Sequence, residues 1–275
     1  MMKVGAVLNM GLAITTLLAT PPSPTTPHHT SPLQSAQKAL GFVYALVAAF
    51  RSWWPRVDAE RWVIVDSPLS SIGLGRSTAT VAEIGFSIQM AIFVSELDSR
   101  AHLDQPPFLP IVLVVAITTA QACCWAGVLT TSHLWHALEE SIWTCVVAVV
   151  GITSLSSLSS LSSRPWIIAA TVSSIASLLY VLYMLIIDVP MYVRKWLDDH
   201  GNGNGNGNGD GMDDHASCSS QFLDAWTRRV PQLQWENAWK QEALWMTGYF
   251  WCGVWLSLSL AWLPYTTVSI TPGPS

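Results

Sequence analysis

Residues 108–131, FLPIVLVVAITTAQACCWAGVLTT, run for 24 positions without one charged side chain. A bilayer core about 30 Å thick is crossed by about 20 helical residues, so a stretch of this kind belongs in hydrocarbon. Five further apolar runs read as spans: 39–50, which is short, then 75–94, 134–155, 166–187 and 244–263. Only 13 basic and 18 acidic side chains are spread over 275 residues. At 11% charged the chain holds less than half of what a soluble domain carries, about 25%. The expected fold is all-α, a polytopic transmembrane helix bundle of six main spans.

The flanking segments follow from composition. Residues 1–20 have a basic start at Lys3 and the apolar stretch VGAVLNMGLAITTLLA, the pattern of a signal peptide or signal anchor. The poor cleavage context around Ala19 and Thr20 favours the anchor. Residues 21–37 are rich in Pro, Ser and Thr and read as an extended linker. The bundle is expected over 38–263, and 264–275 is a C-terminal tail. Within the bundle, 195–242 form the largest loop, which contains the tract GNGNGNGNGDG, read as a linker. In the same loop Phe222, Leu223, Trp226 and Val230 share one face of an amphipathic helix expected over 219–231. A second repetitive tract, SLSSLSSLSS at 154–163, joins the fourth and fifth runs and reads as a low-complexity connection. Such tracts point to a eukaryotic endomembrane or plasma membrane protein.

Orientation follows from Lys and Arg. Arg51, Arg56, Arg61, Arg76, Arg194, Lys195, Arg228, Arg229 and Lys240 surround two connections; Lys38, Arg100 and Arg164 lie on the other side. The first set is expected in the cytoplasm. Trp53, Trp54, Trp62, Trp135, Trp166, Trp196, Trp245 and Trp262 lie near the ends of apolar runs, where indoles suit the headgroup layer. Five cysteines with no CxxC pair form neither a disulfide framework nor a zinc knuckle. A net charge of −5 without a basic arm excludes a nucleic-acid partner.

Function must be sought where polar groups enter hydrocarbon. In run 75–94, Arg76, Thr80, Glu83 and Ser87 fall on one helical stripe, with Gln89 off it. Glu83 lies roughly 10 Å along the axis from Arg76 at 1.5 Å per residue. A carboxylate at that depth is costly and should face the bundle interior with a partner. HLWHALEES, 133–141, brings His136, Glu139 and Glu140 to the cytoplasmic end of the fourth run, with Trp143 on the same face. The third run carries Gln121, Cys124 and Trp125 towards that end, and the fifth ends there at Asp188. Catalytic candidates are therefore Glu83, Glu140, Glu139 and His136, as general acids or bases. Substrate-binding candidates are Arg76, Arg51, Gln121 and Trp143.

The His136–Glu139 spacing, i to i+3, matches one ligand pair of di-iron carboxylate bundles. A second His-bearing helix is lacking, so no metal and no cofactor is assigned, and a His/Glu zinc site is the lesser alternative. No lysine lies in the last run to hold a retinal, no series of histidine boxes is present, and neither GxSxG nor HExxH occurs. Two functions are expected to compete: a membrane-embedded enzyme acting on a lipid or isoprenoid-like amphiphile from the cytoplasmic leaflet, and a small-solute or proton-coupled transporter or channel. A non-catalytic scaffold is the third. Membrane lipids are the expected partners.

Overall fold

A computed structural model describes residues 2–18, 31–201, 218–234, 239, 246 and 248–265. The chain is mostly helical. In order come α1 (Met2–Leu18), α2 (Pro32–Trp53), α3 (Ile72–Ala101), α4 (Leu109–Thr130), α5 (His133–Ser157), α6 (Arg164–Tyr183), α7 (Val189–Gly201), α8 (Cys218–Thr227) and α9 (Val254–Ala261). Among the described residues, four helices are long and apolar enough to cross a membrane: Ile72–Ala101, Leu109–Thr130, His133–Ser157 and Arg164–His200. They overlay four of the six expected runs. The fourth of them is continuous because a π-helical turn, Met184–Asp188, joins α6 to α7. The remaining two runs do not meet that standard: 39–50 lies within the more polar α2, and 244–263 is described as the short apolar stretch Phe250–Ala261.

Local chemistry fixes the helix boundaries. Ser31 caps α2 by accepting from the Gln34 N–H at 3.2 Å, and Pro32 opens the helix where its missing N–H costs nothing. Ser71 caps α3 through the Leu74 N–H at 3.1 Å. Between α4 and α5 lie only Thr131, in the left-handed region at φ 53°, and Ser132. So short a turn forces α4 and α5 side by side and antiparallel, with register fixed at that end.

The larger apolar core joins α3, α4, α5 and α6 through Phe93, Leu97, Leu113, Ile117, Val146 and Trp166. A second core holds Tyr44, Ala45, Ala48, Phe250, Val254 and Leu258 of α2 and the C-terminal segment. Between them lies a polar tie the sequence did not suggest. Gln37 Nε2 donates to the Gln89 carbonyl (3.1 Å), and Gln89 Nε2 donates to those of Gln37 (3.0 Å) and Ser257 (3.1 Å). Gln89 thus leaves the Arg76 stripe because it serves the opposite face of α3. By contrast, the outer faces of α4 and α6 remain apolar and exposed, at Ile111, Val115, Ile168, Ile175 and Leu179. Such surfaces call for a hydrocarbon solvent.

Three expectations change. Trp166 does not sit at an interface; it is fully buried, parallel to Phe93 with ring centroids 6.0 Å apart and with the Arg100 guanidinium 4.4 Å from its ring. The Ser/Leu tract is not simply a linker, since α5 continues to Ser157 and buries Ser154 and Ser157, with Ser154 Oγ donating to the Val150 carbonyl at 2.7 Å and lying 3.0 Å from Ser173 Oγ. Serines at helical spacing satisfy themselves on their own carbonyls and let α5 and α6 approach closely. Finally, the amphipathic helix stops at Thr227. Val230 belongs to a strand instead, because the following Pro231 holds it extended. The glycine/asparagine tract, Trp245, Glu242 and Lys240 lie outside the described residues.

α1 packs against α2 and the C-terminal segment. Asn9 Nδ2 donates to the Phe250 carbonyl at 2.7 Å, and its Oδ1 accepts from Trp255 Nε1 at 3.2 Å. Trp262 Nε1 donates to Thr16 Oγ1 at 3.1 Å.

Candidate functional site

A lid closes the end of the bundle where α3 begins and α4 ends. Residues 54–71 fold back as β1 (Arg56–Val57) and β2 (Trp62–Val63), an antiparallel pair, and β3 (Val230–Pro231) adds parallel to β2. α8 lies beside them, so two distant stretches of chain build one lid. Three arginines position it. Arg56 donates to the Ser71 carbonyl at 2.6 Å and lies against Gly75, where any side chain would collide with the guanidinium. Arg61, in the left-handed region at φ 59°, donates to the Val128 carbonyl (2.7 Å) and pairs with Asp224 (3.2 Å). The first bond satisfies a carbonyl that the end of α4 leaves open. Arg229 pairs with Asp66 at 2.7 Å. Burial, helped by neighbouring Arg51, pushes the Arg56 guanidinium down to about 10. Burial likewise lowers Arg61, against the pull of Asp224.

Beneath the lid, α3, α4 and α5 bring a polar cluster together. Arg76 Nη2 donates to Glu83 Oε2 (2.9 Å) and to Gln121 Oε1 (2.5 Å). Gln121 Nε2 donates to the same Glu83 oxygen at 2.6 Å. Arg76 Nη1 lies 3.7 Å from Glu139 Oε1, and the other Glu139 oxygen lies 3.3 Å from His136 Nδ1. Cys124 Sγ is 3.9 Å from the same nitrogen. Arg76, Glu83, Gln121, Cys124, His136 and Glu139 are all less than 9% exposed. One turn along the stripe, Trp125 Nε1 donates to Thr80 Oγ1 at 3.1 Å.

Helix geometry explains the convergence. Arg76 and Glu83 are two turns apart on one face of α3; Gln121 and Cys124 are three apart on α4; His136 and Glu139 are three apart on α5. The tight α4–α5 turn sets the last two pairs at the same depth. Gly127 completes the fit, since a β-carbon there would stand 2.9 Å from His136 Nε2. Only glycine lets the imidazole lie against α4.

The remaining candidates lie elsewhere. Glu140 is half-buried on the adjacent face of α5, within electrostatic reach of Glu139 and Asp188. Asp188, in the π-turn, is buried and accepts from the Tyr183 hydroxyl at 3.3 Å. Trp143 packs in the apolar core with Leu113, Ile117 and Val146. Arg51 is buried on α2, 6.0 Å from the centroid of the Phe250 ring.

No protein-family model, curated protein or solved structure matches this chain.

Two features distinguish the cluster from a plain helix tie. Its hydrogen bonding is incomplete: Arg76 Nε and His136 Nε2 are buried with no hydrogen-bond partner among the described residues. Buried polar atoms left open are costly, at about 1–3 kcal/mol each, and native proteins keep few of them. The cluster also joins groups of different function, a fixed cation in Arg76, a carboxylate–imidazole pair in Glu139–His136 and a thiol in Cys124.

Proposed function

We propose that this protein is a multi-pass membrane enzyme whose buried cluster acts on a lipid or isoprenoid-like amphiphile taken from the cytoplasmic leaflet. The reading rests on one observation: a buried network of ionisable groups whose hydrogen bonding is left open at Arg76 and His136. A network evolved only to tie α3, α4 and α5 would be stabilised by closing those positions with apolar or matched groups. In this reading Arg76 holds an anionic headgroup. Glu139 orients His136, which moves a proton at Nδ1 or Nε2, the carboxylate–imidazole arrangement general acid–base catalysis uses. Glu83 and Gln121 position Arg76, and Glu140 lines the approach. Six spans complete the bundle, α2 and the helix ending in α9 joining the four long ones, with α1 retained as a signal anchor. The lid and the basic connections face the cytoplasm of a eukaryotic endomembrane or plasma membrane.

Transport is favoured by a different observation. The π-turn at Met184–Asp188 interrupts a spanning helix and carries a buried carboxylate whose Oδ2 has no hydrogen-bond partner among the described residues. Broken helices with buried acids are a mark of transporters.

One comparison separates the readings. Host membranes containing the native chain, Glu139→Gln or His136→Gln would be assayed for protein accumulation and, by mass spectrometry, for lipid composition. The enzymatic reading expects a lipid pool altered by the native chain and restored by either variant at equal accumulation. A lipid pool indifferent to the native chain, together with proton-dependent flux in vesicles that Asp188→Asn abolishes, establishes transport instead.

A further inference from the structure

Cys124, His136 and Glu139 deserve a second reading as a donor set. Each offers one ligand atom, and the three atoms lie within 4.8 Å of one another. Two of the separations are 3.9 Å, Cys124 Sγ to His136 Nδ1, and 3.3 Å, His136 Nδ1 to Glu139 Oε2. Ligand bonds to zinc of about 2.0–2.3 Å place the donors of a tetrahedral site roughly 3.2–3.8 Å apart. Two of the three separations thus lie close to the edge of such a tetrahedron, and the third, between Cys124 Sγ and the Glu139 oxygen, is within 4.8 Å, a gap that an ion would close.

Charge points the same way. The buried cluster holds two carboxylates, Glu83 and Glu139, against one guanidinium, Arg76. A residual negative charge in a low-dielectric interior is expensive. A divalent cation with Cys124 bound as thiolate adds one net positive charge beside these carboxylates. The thiol proton passes to solvent as the metal binds.

The surroundings suit such an ion. Glu139 presents one oxygen to the donor set while the other faces Arg76 at 3.7 Å, which fixes the carboxylate from behind. Gly127 holds the imidazole close to α4, and the Tyr192 ring lies over His136 with centroids 5.5 Å apart. Mixed thiolate, imidazole and carboxylate ligands select zinc among common divalent ions; oxygen-only cages select magnesium or calcium.

We infer that Cys124, His136 and Glu139 form a binding site for a divalent transition-metal ion, zinc by preference, with one coordination position left for water or a substrate oxygen. The site shares His136 and Glu139 with the enzymatic reading, and an ion on Nδ1 would leave only Nε2 of that imidazole for proton transfer, but the donor spacing that supports it does not depend on that reading. Metal content is measured on the protein directly and lipid turnover on the host, so either can fail without the other.

The test uses the full chain, solubilised in mild detergent, purified on an epitope tag without chelating resin and equilibrated with zinc. Elemental analysis should find about one zinc per chain, and X-ray absorption one sulfur at about 2.3 Å with nitrogen and oxygen at about 2.0–2.2 Å. Cys124→Ser should lower the bound metal at least about ten-fold, the scale on which even outer-shell changes weaken sites. Cys123→Ser, one position away and only partly buried, should leave it unchanged. Zinc below a tenth of the chain concentration, equal retention by Cys124→Ser, or a spectrum without a sulfur shell each overturns the site. If Cys124→Ser does not accumulate, the absorption spectrum of the native protein decides alone.

Discussion

Neutralising Arg76 should cost this protein much more than neutralising Glu83, although the two face each other in one ion pair. The asymmetry comes from the third charge. Arg76 lies 2.9 Å from Glu83 and 3.7 Å from Glu139, with both pairs buried. Arg76→Gln therefore strands two carboxylates in a low-dielectric interior. Removing one partner of a buried pair costs about 3–5 kcal/mol, and here two acids lose theirs. Glu83→Gln instead leaves Arg76 opposite Glu139, one charge against one. The new amide can still accept from Gln121 Nε2 and Arg76 Nη2. What is lost is the charge assistance of those bonds, on the order of 1.5–3 kcal/mol. For a chain of this size each kcal/mol moves the melting midpoint by about 2–4 °C. The expected shifts are thus about 6–20 °C for Arg76→Gln and about 3–12 °C for Glu83→Gln. Intrinsic fluorescence follows melting in detergent, since the chain holds 15 tryptophans. Equal shifts, or a larger one for Glu83→Gln, would show that Glu139 does not share the guanidinium, and the three-charge description would fail.

Three further outcomes are expected. Gly127→Ala places a methyl 2.9 Å from His136 Nε2; the imidazole must move, at about 1–3 kcal/mol of stability, measurable as a lowered melting midpoint, whereas Gly11→Ala, with open space around it, should not lower it. Arg61→Ala removes the bonds to the Val128 carbonyl and Asp224, so hydrogen exchange should quicken across residues 54–71 and 218–231 while α6 keeps its protection. Asn9→Leu leaves the Phe250 carbonyl and Trp255 indole without their partner; the expected loss is about 1–3 kcal/mol, and an unchanged melting midpoint would mean that α1 is not held in the bundle.

Much of the long-range order was readable because hydrocarbon imposes simple rules. Runs near 108–131 and 134–155 declared α4 and α5 within a residue or two, since length and absence of charge suffice there. The depth of Glu83 and its two-turn offset from Arg76 implied an inward stripe for the same reason. Other parts depend on contacts that no periodicity encodes. Cys124 was legible as a residue carried towards the His136 end, but its contact with that imidazole depends on the α4–α5 turn. Gln89 was visible only as a residue off the stripe, because its partners Gln37 and Ser257 lie 52 and 168 positions away. Trp166 had the composition of an interfacial anchor, but Arg100 and Phe93 close over it. The lid was illegible because two-residue strands carry no alternating pattern, and its third strand arrives from far down the chain. Arg61 counted merely as a loop charge; its signal, a left-handed backbone at a non-glycine position, exists only in three dimensions.

That arginine has a mechanical consequence. Its guanidinium occupies an open carbonyl at the end of α4 while its backbone sits where few side chains settle, so swinging residues 54–71 outward would expose an orphaned acceptor and a half-solvated cation together. This makes the lid a fixed stopper and a poor gate.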